Sequence, residues 1–338
     1  MNKVFKVLYV DVYRHYHNPN NANFLKVLQK SSRLTKYGPG FTDKEVLDKG
    51  ITNFIDNNKG FDFIVTEHMC IMWDEKDPLK AFKSSTLEVD LGICSAFLED
   101  IKDYFVNNHN QKIKKLFFCN FDPYNISIKN IELLEKSKCY LITKDHKFWY
   151  QSNELENLIF EDFNDKVNDN WFKFISLPST KKKVISYHTA LDKNEFCSKR
   201  FIKRKYDISI PGVEYHSRKI ASRELKLSNY AFKIGKKSSG LRRKIISRLM
   251  QITKSKTILR YYQDSYSKGI NDSKTCFTCG SALMYTIRKF YEIPAWGSLL
   301  LCEPLEPLKH LGFENKDNCI FVSLEDLDKK LYEIINDK

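Results

Sequence analysis

No apolar stretch in the 338 residues approaches the about 18–20 needed to span a bilayer, which removes a transmembrane helix from consideration. The dinucleotide fingerprint G-x-G-x-x-G is missing from the first loop, DVYRHYHNPNN, so an NAD or FAD site has no support in the first half. The phosphate-loop order G-x4-G-K-[ST] is missing as well. Gly235-Lys-Lys-Ser-Ser-Gly240 is basic and glycine-bearing but out of that order. Nine cysteines, an odd number without framework spacing, fit reduced thiols. The opening MNKVFKVLYVDVY does not read as a signal peptide, because Lys6 and Asp11 interrupt its apolar run and its alternation predicts a strand. Together these absences predict a cytoplasmic protein.

What is present is globular: 42% hydrophobic and 14% aromatic residues. The length predicts two domains. Leu177-Pro178-Ser179-Thr180 followed by three lysines marks the expected boundary, giving domains 1–178 and 179–338, with the last helix packing back toward the first. Residues 181–260 hold 23 Lys and Arg against 5 Asp and Glu, a local +18 in a chain whose net charge is +14. Such a surface suits an anionic membrane, a nucleic acid or a nucleotide diphosphate, or simply keeps a solvated face soluble.

The first half predicts strands at Val4–Val12, Thr35–Gly38, Phe61–Glu67, Lys115–Asn120 and Cys139–Thr143. Helices fit Ala22–Ser32, Asp43–Asn57, Leu91–Asn107 and Ile128–Lys136. This alternation argues for an α/β fold with a parallel sheet, whose ligands sit at the carboxyl ends of the strands. Glu67 and Asp122 each follow a strand there, placed for acid/base work or sugar-hydroxyl contacts, although such loops also use acids for turn chemistry. His15 and His17 form a possible metal pair that lacks a third ligand, and an acceptor-contacting loop or a plain turn accounts for them as well. His188 ends the strand VISYH, expected to open the second domain at the mouth of a cleft, where a satisfied hinge histidine is the plainer reading.

The second half repeats the alternation, with strands at Tyr206–Ile210, Tyr230–Ile234, Thr275–Thr278, Ser298–Cys302 and Cys319–Ser323. Helices fit Ser217–Leu225, Leu241–Gln251, Ile258–Tyr266, Ala282–Glu292 and Leu324–Asn336. Pro294 is expected to stop the fourth of these helices. Arg288, Lys289 and Glu292 lie one turn apart on it and could hold a phosphate and a sugar hydroxyl; a surface ion pair is the plainer reading. Gly212 after a strand and Arg218 at the next helix start make a plausible diphosphate corner. Cys276 and Cys279 have half the spacing of a zinc site, but they fall on or beside a core strand and read as buried small hydrophobes. Asp326 and Asp328 sit at the start of a helix, where acids suit its dipole.

Two segments carry a resemblance. SK-x6-S-x7-K-x2-EIPA-x-GSLLL, residues 273–301, and KYDISIPGVEYHSRKI, residues 205–220, are similar in order and content to the C-terminal half of the CgeB-like (spore-maturation-type) glycosyltransferases. His216 stands where that family usually has proline. The resemblance covers about 205–335 and implies the GT-B fold of glycosyltransferase family 4-like enzymes, two facing Rossmann-like domains with parallel sheets. It implies a nucleotide-sugar donor, UDP-, GDP-, CDP- or ADP-linked, on the C-terminal domain and a glycan or lipid-linked acceptor on the N-terminal one, with no cofactor or metal. Glu292 would then bind the donor ribose and Lys289 and Arg218 the diphosphate. Arg288, Gly212, Lys274, Ser281, Gly297 and Ser298 would shape the pocket. Familiar GT-B enzymes carry a second glutamate eight positions before the ribose-binding one; here Met284 stands there. Two other readings stay open: a nucleic-acid-binding or base-glucosylating protein using the basic region, and a sugar-nucleotide-binding protein without transfer activity. The basic region could also hold the enzyme peripherally on the inner membrane face.

Overall fold

The computed structural model describes residues 4–13, 19–67, 91–108, 112–119, 127–144, 174–175, 177–187, 203–212, 217–235, 266–280 and 286–336. They fall into two α/β units, one reaching Tyr187 and the other following it.

In the first unit, six strands form one sheet: β1 (Lys6–Val10), β2 (Arg33–Tyr37), β3 (Phe63–Glu67), β4 (Lys114–Cys119), β5 (Tyr140–Lys144) and β6 (Val184–Tyr187). Their order is β2-β1-β3-β4-β5-β6 and every pairing is parallel. Leu8, Tyr9 and Val10 are all fully buried, as a central parallel strand covered on both faces requires. Ile51, Ile55, Phe97, Ile101 and Leu134, from the helices Gly50–Asn57, Leu91–Asn107 and Ile128–Ser137, supply apolar cover. Ser127 caps the last of these by accepting the Asn130 amide at 3.1 Å.

Two expectations need correction in this unit. The single helix expected over Asp43–Asn57 is two, Lys44–Leu47 and Gly50–Asn57. The break frees the Ile51 amide, which donates to Asp100 on the Leu91–Asn107 helix at 2.8 Å. Tertiary capping thus replaces helix continuity. The strand expected to open the second domain is instead β6, an edge strand of the first sheet paired with Leu141–Lys144 of β5. The first sheet therefore extends past the expected boundary at 178.

The second unit has a five-stranded sheet of β7 (Tyr206–Ile210), β8 (Phe232–Ile234), β9 (Ser273–Thr278), β10 (Leu299–Cys302) and β11 (Ile320–Phe321). The order is β11-β10-β9-β7-β8, again all parallel. Neighbouring residues of one strand feed opposite cores. Phe277 and Leu301 pack with Ile208, Ala221, Leu225, Leu327 and Leu331, whereas Cys276 and Leu300 pack with Phe290, Ile293 and Leu308. A continuous apolar strand such as Leu299–Cys302 follows directly from cover on both faces. The last helix, Leu327–Asn336, lies in the first of these cores.

The helix of the 273–301 segment is shifted from its expected place. Residues 286 and 287 are not helical, and the helix runs Lys289–Ala295. Pro294 therefore lies inside it rather than beyond its end. In so short a helix the proline forfeits only the bond to Phe290's carbonyl. The turn still closes, with the Trp296 amide on the Glu292 carbonyl at 3.0 Å and the Ser298 amide on the Ile293 carbonyl at 3.2 Å.

Candidate functional site

At the carboxyl edge of the second sheet, β7 runs out into Pro211-Gly212 and β8 into Gly235. The Gly235 amide donates to the Ile210 carbonyl at 2.8 Å, and a Cβ at Gly235 would stand 2.1 Å from the Gly212 oxygen. The two loops pack backbone on backbone. Gly212 itself has φ +89°, and a Cβ there would meet Lys289 Cε at 2.7 Å, Lys289 Nζ at 3.1 Å and Arg218 Nη1 at 3.3 Å. Three residues singled out in the sequence, Gly212, Arg218 and Lys289, are therefore brought together by β7, the Ser217–Leu227 helix and the Lys289–Ala295 helix.

The electrostatics of this corner are cationic and desolvated. Arg218 is fully buried, and its Nη1 donates to the Pro211 carbonyl at 3.1 Å. Burial, and then the Arg218 charge, push the Lys289 ammonium down to about 8; Glu292 acts in the opposite direction. Two cations held beside a bare glycine backbone form a place where an arriving anion relieves a standing repulsion.

Glu292 flanks the corner. Its Oε1 accepts from Arg288 Nε at 2.5 Å and its Oε2 accepts the Tyr266 hydroxyl at 3.0 Å. Both Arg288 and Glu292 are mostly buried, so the pair is not the exposed surface bridge of the plainer reading. Burial, then the Glu292 charge, hold the Tyr266 phenol well above its ordinary value, so it stays a donor. Tyr266 was not anticipated as part of this site, since it belongs to residues 266–271, a helical stretch before β9 with no motif of its own.

Two further side chains end strands at the same edge. Cys279 follows β9 and hydrogen-bonds Arg218; burial raises its thiol while Arg218 pulls it back and Glu303 raises it further. Glu303 follows β10 directly. The rule that singled out Glu67 and Asp122, an acid after a strand, would have found it. Cys276 lies on β9 with its sulfur 3.0 Å from the Ser209 hydroxyl, a buried packing role. Among the described residues no three His, Cys, Asp or Glu side chains group as metal ligands would.

Other predicted site residues lie elsewhere. Lys274 is at the amino end of β9, paired with Asp207 at 2.8 Å and half exposed. Gly297 and Ser298 precede β10, again at the amino end. The Gly297 carbonyl accepts Arg204 Nη2 at 2.8 Å, and the Ser298 hydroxyl lies 2.6 Å from the Ile270 carbonyl and 2.9 Å from that of Ser273. Gly297 and Ser298 lock the turn after the helix, Lys274 is tied to Asp207 of β7, and none of the three joins the Gly212 corner. The physical reason is directional: the helix runs antiparallel to the strands, so its first residue reaches one edge of the sheet and its last the other. Ser281, Asp122, His188, His15 and His17 lie outside the described residues.

In the first unit, Glu67 ends β3 fully buried and accepts the Tyr9 hydroxyl at 2.5 Å. The same hydroxyl is 3.3 Å from Asp11 Oδ2, and Asp11 Oδ1 accepts the Val12 amide at 2.7 Å. Glu67 is thus one of two carboxylates sharing a phenol at the carboxyl edge of β1 and β3.

No family model matches this sequence, and no curated protein matches it. Among solved structures, the chain is similar to Anabaena Alr3699/HepE in complex with UDP and glucose, at 9% identity over 98% of this chain and 90% of that one, with a TM-score of 0.48. It is also similar to a GtfA/B complex, at 11% identity over 81% of this chain and 50% of that one, with a TM-score of 0.35. At these values neither likeness bears on activity. The class stands on strand pairing: an α/β protein of two all-parallel, Rossmann-like sheets, the second carrying a buried cationic corner at its carboxyl edge.

Proposed function

We propose that this chain is a GT-B glycosyltransferase that takes a nucleotide sugar on its second unit and passes the sugar to a glycan or lipid-linked acceptor. The observation that supports it is the convergence of Arg218 and Lys289 on the Gly212 backbone, where ligands of parallel α/β sheets bind. In this reading the donor diphosphate lies against Gly212, with Arg218 and Lys289 as its counter-charges. Glu292, held by Arg288 and Tyr266, accepts from the ribose hydroxyls.

In the transfer, the bond between the sugar's anomeric carbon and the diphosphate oxygen breaks, and the bond to the acceptor oxygen forms. Negative charge grows on the leaving diphosphate. Two fixed cations in a desolvated corner stabilise that charge without reorganising, which serves the role a metal plays in other sugar transferases. Glu67 is the acid proposed on the acceptor side; its link to Tyr9 would keep the carboxyl oriented. A thermal-shift and calorimetric screen of UDP-, GDP-, CDP- and ADP-sugars tests the reading. Binding of one class that is lost in Arg218→Met supports it, whereas no binding of any donor overturns it. Turnover that EDTA leaves intact is expected, and turnover restored only by a divalent metal overturns the metal-independent step.

A further inference from the structure

The Ser217–Leu227 helix turns two unlike faces to its surroundings. Arg218, Ala221, Ser222 and Leu225 point inward, the last two apolar residues joining the core with Leu327 and Leu331. Outward, Ile220 is 47% exposed and Leu227 85% exposed. Seven residues apart, these two lie on one line of the helix, within about 20° of each other at about 100° per residue. Arg223, Lys219 and Lys226 follow on one side of that line, within about 40–100° of Leu227, and Glu224 stands on the other. All four charged side chains are exposed, and none of the three cations is in an ion pair among the described residues. On the adjoining Leu327–Asn336 helix, Tyr332 is also exposed, near Tyr230, and Lys329 faces solvent.

We propose that this outer face docks on an anionic lipid surface. An apolar ridge flanked by cations places hydrocarbon at the boundary of the acyl chains while the basic groups meet anionic headgroups. Duplex nucleic acid would engage the three cations but leave the Ile220–Leu227 ridge in water. A second copy docked through the same face would set like charges against each other. Because Ala221 and Leu225 fasten the helix to the core, the face is a preformed platform rather than a segment that must fold on binding.

The test is cosedimentation of the full chain with phosphatidylcholine vesicles, with and without phosphatidylserine, at low and high salt. Binding is expected only with phosphatidylserine and should weaken with salt. Leu227→Glu, and separately the triple change Lys219→Gln, Arg223→Gln and Lys226→Gln, should each lower partitioning at least about tenfold. Leu227→Trp should raise it. All these positions are solvent-facing, and unchanged unfolding midpoints would show that the fold is intact. Lack of phosphatidylserine-dependent binding, or binding that the variants leave unaltered, overturns the proposal. So does salt-sensitive capture of duplex DNA, or self-association, in place of vesicle binding. No nucleotide enters the assay, so its failure leaves the donor reading standing.

Discussion

The Tyr266 hydroxyl donates to Glu292 Oε2 across 3.0 Å, linking a residue ahead of β9 to the helix that follows it. Glu292 is therefore held from two directions, by Arg288 four residues before it and by a phenol from another element. A side chain held in this way loses little further freedom on meeting a ligand, which favours its use for orientation.

Tyr266→Phe should cost about 1.5–3 kcal/mol of folding stability, the scale of a lost hydrogen bond to a charged group. In the nucleotide-sugar reading it should also weaken donor binding by several-fold, since Glu292 is then held by Arg288 alone. Denaturant unfolding and calorimetry on the same variant measure both effects. Unchanged stability would show that the bond contributes nothing.

Gly212→Ala should abolish high-affinity nucleotide binding, by at least about tenfold, or roughly 1.4 kcal/mol. The methyl would displace Lys289 and impose a strained backbone at φ +89°. Gly312→Ala provides the comparison, because Gly312 has φ +80° with no atom within 4 Å of the added carbon. It should cost about 1 kcal/mol of stability from backbone strain and leave nucleotide affinity as it was. Equal losses of affinity in both variants would assign the effect to general destabilisation.

The pH dependence follows from Lys289, whose ammonium is pushed down to about 8. An anionic ligand favours the protonated form, so affinity for a nucleoside diphosphate should fall as pH rises above about 8. Lys289→Gln should bind more weakly at neutral pH and lose most of that slope. For stability the sign is the reverse. The folded chain releases this proton before the unfolded chain does, so this group's contribution rises with pH between about 8 and its ordinary value of 10.5. Calorimetric titrations of both proteins across pH 7 to about 9.5 measure the difference.

Lys274→Met should leave nucleotide affinity unchanged. Lys274 pairs with Asp207 at the amino end of β9, and a half-exposed pair of this kind contributes at most about 1 kcal/mol. Loss of binding in this variant would mean that the site extends to the opposite edge of the sheet.

Much of the architecture was legible in the chain itself. Tyr206–Ile210 and Leu91–Asn107 occur where their apolar patterns put them, and the run 299–302 is a strand buried on both faces. Local pattern suffices there because burial on one or both faces writes a period of two, a period of 3.6 or an unbroken apolar run. The Gly212, Arg218 and Lys289 set was also chosen from the sequence. Its members sit at a strand end, a helix start and the head of a motif helix, positions that strand–helix alternation brings to one edge. Lys274, Gly297 and Ser298 belong to the same motif yet stand at the amino edge of the sheet, because a motif records proximity along the chain, not direction in space. Fewer than ten residues separate Lys289 from Gly297, yet a helix running antiparallel to the strands sends them to opposite edges of the sheet. Only the tertiary structure could decide this, and only it could bring Tyr266 to Glu292 or split the 43–57 helix to meet Asp100. Those contacts join groups from separate elements, and their energy depends on distances that no local periodicity encodes.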